Sequence, residues 1–85
     1  MKKLKYTVTD PKGMHARPAG ILAAAAKEYD SEITVSNGTD EVDMKKILPL
    51  MGLAVSKGDD LIVTLDGPDE DAAADAVAKA LKENF

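Results

Sequence analysis

The sequence predicts an α+β fold in which helices cover one face of an antiparallel sheet and water covers the other. The segments that favour strands alternate apolar and polar residues, which is typical of a sheet with a single buried face. Helical patterns interrupt these segments and give the order β-α-β-β-α-β-α. If the first helix crosses over in the usual right-handed sense, the last strand can insert between the first two.

The first predicted strand is half-buried, because Leu4, Tyr6 and Val8 alternate with polar residues. Segment 10–13, with the sequence DPKG, follows it. Its proline fixes its own φ and its glycine permits positive φ, so the segment predicts a turn.

The first predicted helix begins at Ala16. Pro18 then lies in the first turn, where its missing N–H would have no helical partner. The run Ala23–Ala26 favours a helix and lets it pack close to the sheet. The expected buried stripe consists of Ile21, Leu22, Ala25, Ala26 and Tyr29.

The middle of the chain predicts a hairpin and a short helix. Ile33 and Val35 alternate inward in a second strand, and an Asn-Gly pair then predicts a hairpin with a short strand around Glu41. Segment 44–58 is expected to contain an apolar helix with Gly52 near its end. Its proline, Pro49, is tolerated if this helix begins near Lys46.

The last third of the chain predicts a turn at 57–60, a central strand at 61–65 and a helix at 67–84. The acidic run Asp69–Asp71 falls in the first turn of this helix, where it complements the helix dipole. The expected buried stripe consists of Ala73, Val77, Ala80 and Leu81, with Phe85 just beyond.

Length, charge and composition limit the function classes. We take residues 1–85 as a single domain with one modest core. The chain has no cysteine, so thiolate zinc sites and disulfide frameworks are excluded, and we expect neither metal nor cofactor. A net charge of −4 argues against a nucleic-acid partner. No signal peptide or apolar span is recognisable, so we expect a cytoplasmic protein without membrane insertion. We also expect a monomer.

The only histidine, His15, lies just before the predicted start of the first helix. The backbone amides of Ala16 and Arg17 would face outward there, and together with the positive end of the helix dipole they form an anion site. The Arg17 guanidinium is a fork suited to phosphate oxygens. The dipole also disfavours imidazole protonation, which leaves a lone pair for attack on phosphorus. The residues alone thus suggest a phosphohistidine site, although a surface or capping histidine remains the alternative.

The segment GMHARPAG resembles the active-site signature of the HPr family, the histidine-containing phosphocarriers of the bacterial phosphoenolpyruvate:sugar phosphotransferase system. The resemblance covers essentially the whole chain. It implies an open-faced β-sandwich with strand order 1-4-2-3 and three helices on one face, with a ferredoxin-like arrangement as the alternative. It also implies that His15 is phosphorylated on Nδ1 by phosphorylated enzyme I and passes the group to enzyme IIA components, while Arg17 holds the phosphoryl group.

Lys46 departs from the family pattern, because many HPr proteins carry a regulatory serine there. Lysine has no hydroxyl and carries the opposite charge to phosphoserine, so seryl-phosphorylated regulation is in doubt. Two alternatives to the sugar carrier stay open. One is a phosphate-free regulatory module of the same fold. The other is a carrier for a nitrogen-regulatory or dihydroxyacetone-kinase branch.

A docking face for partner proteins is expected beside the anion site. Ile47, Leu48 and Met51 fall at helical spacing, and the thin core cannot bury all of them together with Leu50 and Leu53. Met51 is flexible enough to suit several partners. The expected partner-binding residues are Gly20, Lys46, Ile47, Leu48 and Met51.

Overall fold

The computed structural model describes residues 1–12 and 16–85, and it confirms the α+β class and the predicted order of elements. The strands are β1 (Lys2–Thr7), β2 (Glu32–Ser36), β3 (Glu41–Asp43) and β4 (Asp60–Asp66). The helices are α1 (Ala16–Lys27), α2 (Ile47–Met51) and α3 (Glu70–Asn84). Within the described ranges, no helix is both long and apolar enough to cross a membrane.

The four strands form one antiparallel sheet in the order β1-β4-β2-β3, so β4 inserts between the first two strands as expected. Val63 of β4 lies opposite Leu4 on one side and Val35 on the other. This register brings apolar side chains of neighbouring strands onto the same face. The order confirms the open-faced sandwich and not the ferredoxin-like alternative.

The core lies between one face of the sheet and the helices. Along β4 the buried side chains alternate with more exposed ones, which leaves the opposite face of the sheet open to water. Small residues such as Ala19 and Ala26 are fully buried, and α1 packs closely against α3 and α2. The largest fully buried side chains include Leu22, Ile33, Met44, Leu50, Leu61, Leu65 and Leu81.

Two local expectations are corrected by the structure. Val8 is buried but lies just beyond the end of β1. Ile21 was expected in the buried stripe of α1, yet its side chain is exposed, whereas Leu22 and Ala26 are fully buried. The second helix is confirmed as a short helix within segment 44–58, and it ends at Gly52, whose amide donates a hydrogen bond to the Leu48 carbonyl.

Glu70 and Asp71 lie in the first turn of α3 as expected, but the first residue of the acidic run, Asp69, differs from its expected role. Asp69 is the N-cap residue of α3, but its carboxylate makes no cap bond to that helix. This carboxylate accepts a hydrogen bond from the hydroxyl of the fully buried Ser31. It also accepts hydrogen bonds from the backbone amides of Asp30 at 2.8 Å and Ser31 at 2.9 Å. The Ser31 hydroxyl, then the Asp30 amide, lower the pKa of Asp69. These bonds stabilise the fold above the ordinary carboxyl pKa, and their contribution is lost as pH falls through the lowered value.

We expect Gly67→Ala to destabilise the protein strongly, because a Cβ on Gly67 would lie 2.6 Å from Ser31 Cα. That contact is with backbone, so the turn that holds Ser31 against Asp69 must move. Overpacking of this kind costs about 1–3 kcal/mol of the free energy of unfolding, which lowers Tm by about 4–8 °C for each kcal/mol. Thermal unfolding monitored by circular dichroism measures the change.

Gly20→Ala is the matched control for this substitution. A Cβ on Gly20 would lie 3.6 Å from Ile47 Cδ1, an ordinary van der Waals distance. Because alanine favours helix over glycine, this variant should gain about 0.5–1 kcal/mol of the free energy of unfolding. A Gly67→Ala protein that melts at the wild-type temperature would contradict the proposed close packing.

Candidate functional site

The first turn of α1 presents the residues expected to hold an anion. Ala16 is the first residue of the helix and is exposed, as is Arg17. Pro18 and Ala19 follow and are buried, so they anchor the start of the helix on the core. N–H groups in the first turn of a helix have no acceptor within that helix and point toward the approaching ligand. The geometry therefore suits an anion at this end of α1.

The expected phosphoryl acceptor, His15, lies outside the described residues, as do Gly13 and Met14. The role of His15 stays a prediction. The sequence places His15 directly before Ala16, the first residue of α1.

The segment that leads toward His15 is held by backbone hydrogen bonds. The amide of Val8 donates to the Asp59 carbonyl at 2.9 Å, and the Gly58 amide donates to the Val8 carbonyl at 2.8 Å. The amides of Thr9 and Asp10 donate to the Phe85 oxygen at 2.6 and 2.7 Å. The Thr9 hydroxyl donates to the same oxygen at 2.6 Å. These contacts fix the segment against the start of β4 and the end of α3.

A groove of about 300 Å³ lies beside the first turn of α1. Arg17 and Lys12 contribute positive charge to it, while Asp10 and Glu83 contribute carboxylates. The remaining lining residues are Pro18 and Asn84. An anion at this end of α1 would be attracted by the two cations and repelled by the two carboxylates, so the balance at the groove depends strongly on Arg17.

Sequence reasoning missed Glu83 and Asn84. Both lie near the end of α3, far along the chain from Arg17, and only the packing of α3 against α1 brings them to the groove. The local sequence pattern around them is typical of the polar end of an amphipathic helix. No signal in the sequence links them to the site.

The expected docking residues of α2 are exposed. Leu48 is 76% exposed, whereas Ile47 and Met51 are 39% and 40% exposed. Leu50 and Leu53 are buried, so the small core holds these two leucines and not all five apolar side chains of this region. We call Ile47, Leu48 and Met51 the apolar patch. Gly20 lies against Ile47, and Ile21, the next residue of α1, adds a further exposed apolar side chain.

Two lysines precede α2 and play different roles. Lys45 is partly buried, and its Nζ donates to the Tyr29 carbonyl at 2.7 Å, which ties the entry of α2 to the end of α1. Lys46 is exposed, and its extended backbone forms the N-cap without a side-chain cap bond. The helix therefore begins next to Lys46 as expected, and Pro49 lies in its first turn. The Lys46 charge stands at the edge of the apolar patch.

Known proteins and a family model match this chain along nearly its whole length. The family model described as "PTS HPr component phosphorylation site" matches residues 2–83. The phosphocarrier protein HPr of Lysinibacillus sphaericus is 42% identical over 83 residues, which cover 98% of this chain and 94% of that protein. The solved structure of a mycoplasma histidine-containing phosphocarrier protein has a TM-score of 0.93 at 32% identity and covers 96% of this chain and 93% of that one. A structure of an HPr dimer from Thermoanaerobacter tengcongensis has a TM-score of 0.77 at 30% identity, with 100% of this chain and 98% of that one covered.

Proposed function

The chain belongs to the HPr family of phosphocarrier proteins of the phosphotransferase system, and we propose that it carries phosphoryl groups in sugar uptake. In this proposal, His15 accepts the group from phosphorylated enzyme I and passes it to enzyme IIA components. The observation that carries the proposal is the exposed Arg17 in the first turn of α1, two residues after the only histidine of the chain.

The proposed chemistry follows from the residues at the start of α1. The lone pair of His15 Nδ1 attacks phosphorus and forms a P–N bond, while the bond to the donor breaks and its electron pair stays with the donor. The Arg17 guanidinium and the amides of Ala16 and Arg17 stabilise the phosphoryl oxygens. Arg17 is exposed and lines an open groove, so its guanidinium is accessible from solvent.

The test is incubation of the purified chain with phosphoenolpyruvate and enzyme I, followed by intact-mass measurement. We expect one added phosphoryl group that is lost in acid, and peptide mapping should place it on His15. Transfer to an enzyme IIA component should then remove it. A chain that binds enzyme I but gains no phosphate would instead support the phosphate-free regulatory module.

The branch served by the carrier is decided by the acceptor. We propose the sugar branch, and transfer to an acceptor of a nitrogen-regulatory or dihydroxyacetone-kinase branch but not to enzyme IIA would overturn that choice. We further propose that residues 1–85 act as a monomeric cytoplasmic domain without nucleic-acid or direct membrane binding. The dimer known for the related HPr makes sedimentation velocity the suitable test of the monomer.

The apolar patch, with Gly20 and Lys46 beside it, is the proposed docking face for enzyme I and the enzyme IIA components. We expect Leu48→Glu to weaken enzyme I binding about tenfold or more, because a buried carboxylate replaces an apolar contact at the interface. Leu48 is 76% exposed in the free protein, so Tm should stay close to the wild-type value. Isothermal titration calorimetry and thermal unfolding measure the two effects.

Ala78→Glu is the matched control for Leu48→Glu, because it adds the same charge at an exposed position of α3. Its enzyme I affinity should remain at the wild-type value. Equal loss of binding in both variants would point to net charge, and a collapse of Tm in Leu48→Glu would show that Leu48 belongs to the core.

Lys46→Ser is expected to slow association with enzyme I about two- to fivefold at low salt, since a positive charge at the edge of the patch attracts an acidic partner. The difference should shrink as salt rises, because exposed charges are screened over about 8 Å at physiological ionic strength. Stopped-flow measurements across a salt series test both points, with Lys79→Ser on α3 as the control. A rate difference that does not depend on salt would contradict the electrostatic role.

The absence of a serine at position 46 also bears on regulation. We propose that this chain has no seryl-phosphorylated state. The wild type should take no phosphate from ATP and the kinase that modifies HPr proteins at this position. Robust ATP-dependent labelling at any serine or threonine would overturn this proposal.

A further inference from the structure

The methionines of the chain differ sharply in exposure. The sequence has four, of which Met14 lies outside the described residues. Met44 is fully buried in the core, whereas Met51 is 40% exposed within the apolar patch. Met1 is also exposed, but its ammonium group contacts Glu70 and Asp66, away from the patch. An oxidant in solution therefore reaches the sulfur in the docking face and not the one in the core.

Oxidation changes the character of an exposed methionine. A peroxide transfers one oxygen atom to the thioether, so that an S–O bond forms as the O–O bond breaks, and hydrogen peroxide leaves as water. The sulfur loses two electrons to the peroxide. The product is a polar sulfoxide, which sulfoxide reductases convert back to methionine.

We propose that Met51 is a reversible, peroxide-sensitive modification site that controls the affinity of the apolar patch for enzyme I. The inference rests on the proposed function of the patch as a docking face. A sulfoxide at position 51 must be desolvated when the partner covers the patch, and an unpartnered polar group loses affinity there. The fold tolerates the change, because Met51 is exposed and the buried Met44 is protected.

The position of Met51 favours an effect on several interactions at once. It lies in the same short helix as Ile47 and the highly exposed Leu48. The flexible thioether adapts to differently shaped partners, and this adaptability is lost when the side chain becomes a polar sulfoxide. Oxidation of a single atom would thus lower docking without touching Arg17 or the first turn of α1.

The experiment uses the full chain with Met14→Leu as the background, so that the methionine next to His15 in the sequence does not contribute. This protein and its Met51→Leu derivative are treated with hydrogen peroxide, and peptide mapping follows each methionine over time. Binding to enzyme I is measured before treatment, after treatment, and after repair by sulfoxide reductases. Met51→Leu is the matched control, because it keeps an apolar side chain that peroxide does not oxidise.

We expect Met51 and Met1 to be oxidised well before Met44. Oxidation should weaken enzyme I binding about tenfold in the background protein and leave the Met51→Leu protein unchanged, and repair should restore affinity. Unchanged affinity with Met51 fully oxidised, or oxidation of Met44 as fast as Met51, would overturn the proposal.

If the untreated background protein does not bind enzyme I while wild-type controls do, Met14→Leu is replaced by Met14→Ile. If untreated wild type does not bind either, the docking function itself fails and the modification proposal falls with it.

Discussion

His15→Ala is expected to abolish acid-labile phosphorylation completely. The imidazole of His15 is the only one in the chain, and the chain has no cysteine that could offer a thiolate nucleophile instead. Serine and threonine hydroxyls form phosphate esters that survive acid, so any label on them would be distinguished by its stability. The measurement is the phosphoryl occupancy after incubation with phosphoenolpyruvate and enzyme I, read from the intact mass.

The fold of the His15→Ala protein should remain intact, because the core and the sheet are formed by other residues. Thermal unfolding and enzyme I binding check this directly, since the apolar patch is unchanged. Acid-labile label on the variant would place the acceptor elsewhere. A variant that binds enzyme I normally but takes no phosphate separates the acceptor role from docking.

The sheet was predictable from the sequence because local alternation and general chain topology carry enough information. Leu4, Val35 and Val63 each lie in an alternating segment, and their expected burial direction requires that they share one face. The usual right-handed crossover would leave room for a strand between β1 and β2, and β4 lies there. The strand order follows from these constraints together with the family resemblance.

Individual side chains were harder to place where two faces of a helix are both apolar. Ile21 and Leu22 are neighbours in α1 and equally suited to a core by composition. Of these two residues only Leu22 is buried, so the helical pattern located the buried stripe to within one residue and no better. In α2 the limited core volume gave the correct sorting, with Leu50 buried and Leu48 exposed.

Side-chain contacts between distant helices and loops could not be predicted. Asp69 fits a helix start by its charge and position, yet its carboxylate binds the buried Ser31 and the Asp30 amide instead. The groove beside Arg17 likewise depends on Glu83, which α3 brings to the first turn of α1. A single sequence shows which residue types could make such contacts but not which pairs meet.

The candidate site likewise combines local features that the sequence predicts with contacts between distant segments that it does not predict. The motif around His15 is local, so its chemistry can be argued from residue types and from the start of a helix at Ala16. The surroundings that tune this chemistry are not local. The carboxylates of Asp10 and Glu83 share the groove with Arg17, and their effect on an incoming anion is visible only in the folded protein.

Arg17→Ala is expected to slow phosphoryl transfer from enzyme I by roughly 10- to 1000-fold, the usual effect of removing one preorganised charge-stabilising group. The charged residues that line the groove explain why a large loss is expected. Among the residues that the structure describes, Arg17 and Lys12 are the cations that line the groove, together with the carboxylates of Asp10 and Glu83. Without Arg17 the groove carries one cation against two carboxylates, so it should repel the phosphoryl group it is meant to hold.

Arg17→Lys isolates the geometry from the charge, because lysine keeps the positive charge but cannot present two parallel donors to phosphate oxygens. Its transfer rate should fall between those of wild type and Arg17→Ala. Lys79→Ala, at an exposed position of α3, removes a positive charge away from the groove and should transfer at the wild-type rate. Rapid-quench kinetics give the transfer rate constant, and calorimetry with enzyme I separates it from binding. If Arg17→Ala binds and transfers like wild type, Arg17 is an ordinary surface residue, and the anion at the start of α1 must be held by the backbone amides alone.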